Sequence, residues 1–226
     1  MSISKFITNK TYNLTQFYNW LQSKKSGTFL ENMTVTLESA ADNDSVLTIE
    51  SANAKLTFNP KESPSSWAVV SLTGESKTWN YENSGINYNT AGTWLVKAII
   101  CSKGIIFNTQ TLYNSSAICD NYFGVTVDDS GEVALLRRNG YFNNSTTTGY
   151  LGVAYKSTND YITTLTPAFN SSLTSIAPIV PTTSNEVKFP YAFAALHTQQ
   201  NSFGLSAVSI DGSNYITDGM FYIKDA

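Results

Sequence analysis

Hydrophobic and polar positions along the chain follow two periods. Between residues 13 and 27, "NLTQFYNWLQSKKSG", Leu14, Phe17, Tyr18 and Leu21 recur at i, i+3, i+4 and i+7, the spacing of one face of an α-helix. Asn13 is placed to cap its start, Lys24 and Lys25 to complement its last turn, and Gly27 to end it. One apolar stripe must lie on something, either the chain's own sheet or a neighbouring subunit. Phe17, Tyr18 and Leu21 are therefore candidate interface residues.

From Thr28 the period drops to two. "TFLENMTVTLES", "SVLTIES", "AKLTF" and "SWAVVSL" predict short strands between Asp, Asn, Ala and Asn-Pro punctuation. "WLVKAIICSKGIIFNTQTL" predicts a hairpin turning at Lys103-Gly104, its arms apolar enough for central strands. "YFGVTVDDSGEVALLRRNGYF" predicts strands around Asp129-Ser130-Gly131 and a turn at Asn139-Gly140, and "YLGVAY" follows. Pro178, Pro181 and Pro190 mark an extended connector, because proline lacks the N–H that a central strand donates.

The last forty residues carry the clearest local signal. "FPYAFAALHTQ", "FGLSAVSI", "SNYIT" and "MFYIKD" predict a four-strand meander, with tight turns at Asp211-Gly212 and Asp218-Gly219. A strand carrying Met220, Phe221, Tyr222 and Ile223 is an aggregation hazard as a bare edge. It is either zipped inside its own sheet or covered by a neighbouring chain. Covering is the expectation here, which makes these four residues candidate interface positions. The fold class expected is mainly β: one or two antiparallel β-sandwich-like modules with a short N-terminal α-helix. Residues 1–26 form a helical arm, 27–112 one β module, and 113–226 a second that ends in the meander.

Composition sharpens the picture. Charged residues are 14% and aromatic ones 13%, with a net charge of −3, against about a quarter charged in ordinary soluble domains. Hydroxyls and amides carry the surface instead, and such surfaces repel one another weakly. No basic run exceeds Lys24-Lys25 or Arg137-Arg138, so nucleic acid is not an expected partner. The opening "MSISKFITNKTYNLTQ" has no signal-peptide pattern, and no segment reaches the roughly 18 apolar residues of a membrane helix. Synthesis in a cytoplasm without membrane insertion is expected. Cys101 and Cys119 sit in apolar settings and read as reduced, buried thiols.

Candidate chemistry is sparse. His197 is the single histidine, which rules out paired-histidine zinc sites and leaves it a structural reading. Asp128, Asp129 and Glu132 raise the glycosidase question, since that chemistry needs two carboxyls within about 10 Å. "VDDSGEV" is nonetheless the composition of a hairpin turn, and it lacks the spacing of a calcium loop. Trp67, Trp79, Tyr81, Tyr88 and Trp94 alternate with Asn80, Asn83, Asn87 and Asn89. Trp67 and Trp94 fit a core, while Trp79, Tyr81, Glu82 and Tyr88 are candidates for a host-surface glycan or for a subunit interface. No P-loop or dinucleotide fingerprint occurs. No catalytic residue, metal or cofactor is assigned.

The N-terminal helix, the Ser/Thr/Asn-rich β modules and above all "FPYAFAALHTQQNSFGLSAVSIDGSNYITDGMFYIKDA" resemble structural proteins of tailed bacteriophages and prophage-derived particles. The resemblance implies a non-enzymatic virion component of the tail, baseplate, neck or fibre attachment. Such a component is made in the bacterial host cytoplasm and acts as a homo-oligomer docked to other virion proteins. A carbohydrate-binding adhesin and a glycoside hydrolase are the alternatives.

Overall fold

The computed structural model describes residues 3–7, 14–38, 46–52, 54–59, 69–73, 78–82, 94–113, 117–139, 150–155, 158–162, 176–179, 187, 189–195, 205–219 and 221–226. In chain order these form β1 (Ser4–Ile7), α1 (Leu14–Ser23), β2 (Thr34–Glu38), β3 (Val46–Glu50), β4 (Lys55–Asn59), β5 (Val69–Thr73) and β6 (Thr78–Glu82). There follow β7 (Trp94–Cys101), β8 (Gly104–Tyr113), β9 (Ala117–Val127), β10 (Val133–Asn139), β11 (Tyr150–Tyr155) and β12 (Thr158–Ile162). The last five strands are β13 (Ile176–Pro178), β14 (Ala192–Ala195), β15 (Ser206–Ile210), β16 (Ser213–Thr217) and β17 (Phe221–Asp225). The protein is mainly β, as the period-two pattern predicts.

Three antiparallel sheets result. Seven strands in the order β1-β7-β8-β9-β10-β11-β12 form a central sheet, β2 to β6 form a second, and β13-β14-β17-β16-β15 form a third. On one face of the central sheet, Ile100, Ile105, Phe107, Phe123 and Val125 share a core with Phe17 and Leu21 of α1 and with Val35, Leu47, Ile49 and Leu56 of the second sheet. On the other face, Ile99, Cys101, Ile106, Ala134 and Leu136 share a core with Ala192, Ile216, Phe221 and Ile223 of the third. The central sheet is therefore covered on both sides. This is why "KAIIC" and "GIIF" run apolar without alternation, whereas β2, half solvated, alternates.

The helical stripe lies on the chain's own core. Phe17 and Leu21 are fully buried and Tyr18 packs against the same cluster, with Phe17 edge-on to Phe107 at 5.8 Å and Phe107 stacked on Phe123 at 4.8 Å. α1 ends at Ser23, so Lys24 and Lys25 follow the helix instead of occupying its last turn, and Gly27 adopts φ +68 in the turn beyond. Phe17 and Leu21 are thereby removed from the candidate interface.

Sheet pairing departs from the expected layout in three further places. The β7–β8 hairpin turns at Ser102-Lys103, with Cys101 opposite Gly104. Residue 112 lies inside β8, which pairs with β9 from Tyr113↔Ala117 to Gly104↔Thr126, so the two expected modules share one sheet. The terminal meander holds for β15, β16 and β17, but β14 lies beside β17 and not beside β15, a Greek-key order. Pro178 sits in β13 at the sheet edge, where no ladder N–H is required of it.

That order makes β17 an interior strand. Phe221, Tyr222 and Ile223 are fully buried within the chain, which overturns their reading as surface covered by another subunit; Met220 lies outside the described residues. The apolar run that looked hazardous as an edge is what a strand needs when both neighbours and both faces are occupied.

Two glycines let β17 approach so closely. A Cβ on Gly124 would stand 2.6 Å from Cε2 of Phe221, and one on Gly104 would stand 2.4 Å from the Val125 carbonyl oxygen and 2.9 Å from Cδ1 of Ile223. Gly124 lies in register between Ile106 and Leu136, so the Phe221 ring fills a gap left between two larger neighbours. Gly124→Ala should destabilise the fold by about 1–3 kcal/mol through overpacking, read as a lower urea midpoint. Adding Phe221→Leu should recover part of that loss, and strict additivity of the two changes would contradict the close-approach account.

Candidate functional site

The carboxylate cluster is a turn, closed on itself through Asp128. Asp128 Oδ1 accepts from the Ser130 amide at 2.9 Å, the Ser130 hydroxyl at 2.7 Å and the Glu132 amide at 2.8 Å. Gly131 holds φ +84 at the corner, where a side chain would be strained. Asp129 accepts a hydrogen bond from the Tyr191 hydroxyl, and Lys103 Nζ lies 4.4 Å from the centroid of the Tyr191 ring. These contacts tie the β9–β10 turn and the β7–β8 turn to the start of the third sheet. Asp128 thus holds the turn as its acceptor, and Asp129 bridges to Tyr191.

Two of the aromatic candidates share one strand. Trp79 and Tyr81 lie on β6 in register with Leu72 and Val70, and the row of Trp79 continues through Leu72, Leu56, Ile49 and Val35. The last three of these belong to the core cluster or its row. Adjacent strand residues alternate between faces, so Glu82 occupies a position on the opposite face from Tyr81. Tyr88, Trp67 and His197 lie outside the described residues.

The two cysteines are far apart. Cys101 pairs with Gly104 and Cys119 with Thr111, seven residues further along β8, a separation of roughly 23 Å in an extended strand that no disulfide spans. Cys101 is fully buried, and its thiol donates to the Lys224 carbonyl at 3.7 Å. The neighbouring Ser102 amide donates to Asp225 Oδ1 at 3.0 Å, and the Ala226 amide donates to the Ser102 hydroxyl at 2.8 Å. Residues 224–226 are thus fastened to the β7–β8 turn.

The apolar space between Phe29, Met33, Ile49, Leu56, Val125 and Val133 measures about 10 Å³, room for one water at most and without polar partners for it. Among the described residues, no three His, Cys, Asp or Glu side chains are grouped to hold a metal ion, and no helix is long and apolar enough to cross a membrane.

On the other side of the third sheet lies a further apolar cluster, in which Tyr215 and Tyr222 are themselves buried. The side of the third sheet facing away from the central sheet gathers Tyr215 and Tyr222 with Ile176, Phe193, Val208 and Ile210. Phe193 meets Tyr215 edge-on at 5.6 Å, and Tyr215 meets Tyr222 edge-on at 6.4 Å. At its edge, β15 is exposed at Ser206, Ala207 and Ser209. The signal was the run Phe221-Tyr222-Ile223, apolar at both parities, which implies apolar neighbours on both faces of the sheet. Comparison with known protein families, with curated proteins and with solved structures gives no match.

Burial, reinforced by the Asp225 charge, pushes the Cys101 thiol from its ordinary 9.0 up to about 12. Below pH 9 the thiol is protonated in both folded and unfolded chains, and this contribution to stability is intact. Above it the unfolded thiol ionises first, so stability falls by up to about 1.4 kcal/mol per pH unit from this group. Urea unfolding between about pH 9 and about pH 10.5 should therefore show a shallower decline for Cys101→Ala than for the native chain. Equal slopes would contradict the burial argument.

Proposed function

We propose that this chain is a non-enzymatic structural component of a tailed-phage or prophage-derived particle, working by self-association and by docking to neighbouring virion proteins. The observation that carries the reading is the uncharged β15 edge of the third sheet, exposed at Ser206, Ala207 and Ser209, on a chain only 14% charged. A sheet edge without charge or proline favours pairing with another chain. Two further features support it. The acids Asp128 and Asp129 are engaged in turn and inter-sheet bonds, and the resemblance to virion structural proteins rests on residues 189–226, the segment that builds most of this sheet.

Phe17, Leu21, Phe221, Tyr222 and Ile223 hold the fold, and the exposed edge of the third sheet takes their place as docking surface. Electron micrographs of native particles, labelled with a gold-conjugated antibody against this chain, should show label at one defined axial position. Label absent from particles and confined to free protein would contradict the proposal.

A further inference from the structure

A strand at a sheet edge exposes backbone N–H and C=O groups, and stable proteins blunt such edges with a charge, a proline or a cover. Among the described residues the three sheets have six edge strands. β1 carries Lys5, β2 Glu38, β6 Glu82, β12 Asp160, and β13 is three residues long with Pro178. β2 is covered as well, since Gln22 Nε2 of α1 donates to the Val35 carbonyl at 2.9 Å. β15, "SAVSI", carries neither charge nor proline, and among the described residues it pairs with β16 alone.

The phase of its backbone follows from the turn. Asp211 and Gly212 have φ 49 and φ 77, the two positive values of a type I′ two-residue hairpin. Ile210 and Ser213 then form a hydrogen-bonded pair, and so do Val208 with Tyr215 and Ser206 with Thr217. The N–H and C=O groups aimed away from β16 therefore belong to Ala207 and Ser209, placed symmetrically about Val208.

We propose that β15 is the docking edge for a second copy of this chain, paired antiparallel with itself about a two-fold axis at Val208. In this register Ala207 exchanges both backbone hydrogen bonds with Ser209 of the partner subunit, and the reciprocal pair does the same. Val208 meets Val208 of the partner subunit as a non-hydrogen-bonded pair, extending the apolar outer side from one third sheet onto the other. No like charges meet along the strand. The Leu205 carbonyl accepts from Lys5 Nζ at 2.5 Å, and it falls opposite Asp211 of the partner subunit, which brings a lysine toward a carboxylate at each end of the pairing. A two-fold, self-complementary contact closes after one partner and does not propagate into a filament.

This inference rests on the self-association proposed above, and its test separates the two. Light scattering of the full chain across a concentration series should give a dimer. Val208→Cys should oxidise to a covalent dimer, since Cα atoms of a non-hydrogen-bonded pair lie about 4.5 Å apart, within disulfide reach. Ile210→Cys should not, because its symmetry mate is roughly 13 Å away along the strand, and the native chain is the control for the existing cysteines. Val208→Lys should raise the dimer dissociation constant by a factor on the order of 100 while leaving the circular dichroism spectrum unchanged. If that variant misfolds, Ser209→Pro gives the same readout without removing a bond to β16. A monomer at every concentration overturns the proposal. A dimer that Val208→Cys fails to trap overturns the edge assignment while leaving self-association intact, and particle labelling tests the virion reading independently of either.

Discussion

The constraint behind this structure is a sheet with no polar side to turn to water. Residues 98–101 of β7, 104–107 of β8, 123–125 of β9 and 133–136 of β10 are apolar at both parities, so each face must be covered there or the sheet would aggregate. The chain answers with α1 and the β2–β6 sheet on one face and the Greek-key sheet on the other. Contact on the second face depends on shape as well as on hydrophobicity. Phe221 and Ile223 settle where Gly124 and Gly104 leave no Cβ, and the bonds from Ser102 to Asp225 and Ala226 hold that strand in line with the β7–β8 turn.

Placing β17 inside the third sheet changes where function can reside. A strand that fills a core cannot also be the surface offered to a neighbour. The polar chemistry at the turns is similarly engaged: Asp128 closes its own loop, and Thr217 Oγ1 donates to the Phe221 carbonyl at 2.8 Å while accepting from the Gly219 amide at 2.8 Å. Asp218 is fully buried in that same turn, where its carboxylate accepts from the Phe221 amide at 2.9 Å. Among the described residues of the third sheet, the uncharged edge of β15 stays exposed at Ser206, Ala207 and Ser209.

Local features were legible in the sequence, and long-range ones were not. The helical stripe, strands β2 to β5 and the turn at Asp211-Gly212 each depend on residues within one turn or one hairpin, and spacing alone specifies them. The four-residue β1 pairs with β7 across 90 to 96 positions, too short a segment to announce itself by period. The same distance problem hid the fate of β17. Its partner β14 is separated from it by the β15–β16 hairpin, so the apolar run at 221–223 looked bare when read beside its nearest neighbours. The boundary drawn at residue 112 lies within β8, where the ladder from Gly104 to Tyr113 continues through it. The aromatic outer side became visible only once Tyr222 could be separated in facing from Phe221 and Ile223.

The stacking of the third sheet on the central one through β17 is the claim on which the rest depends, and amide hydrogen exchange reads it most directly. The amides of Phe221, Tyr222 and Ile223 should exchange as slowly as those of Ile105, Ile106 and Val125, at the rate set by global unfolding. Rapid exchange in β17 while β8 and β9 stay protected would mean that the third sheet is not part of the same core.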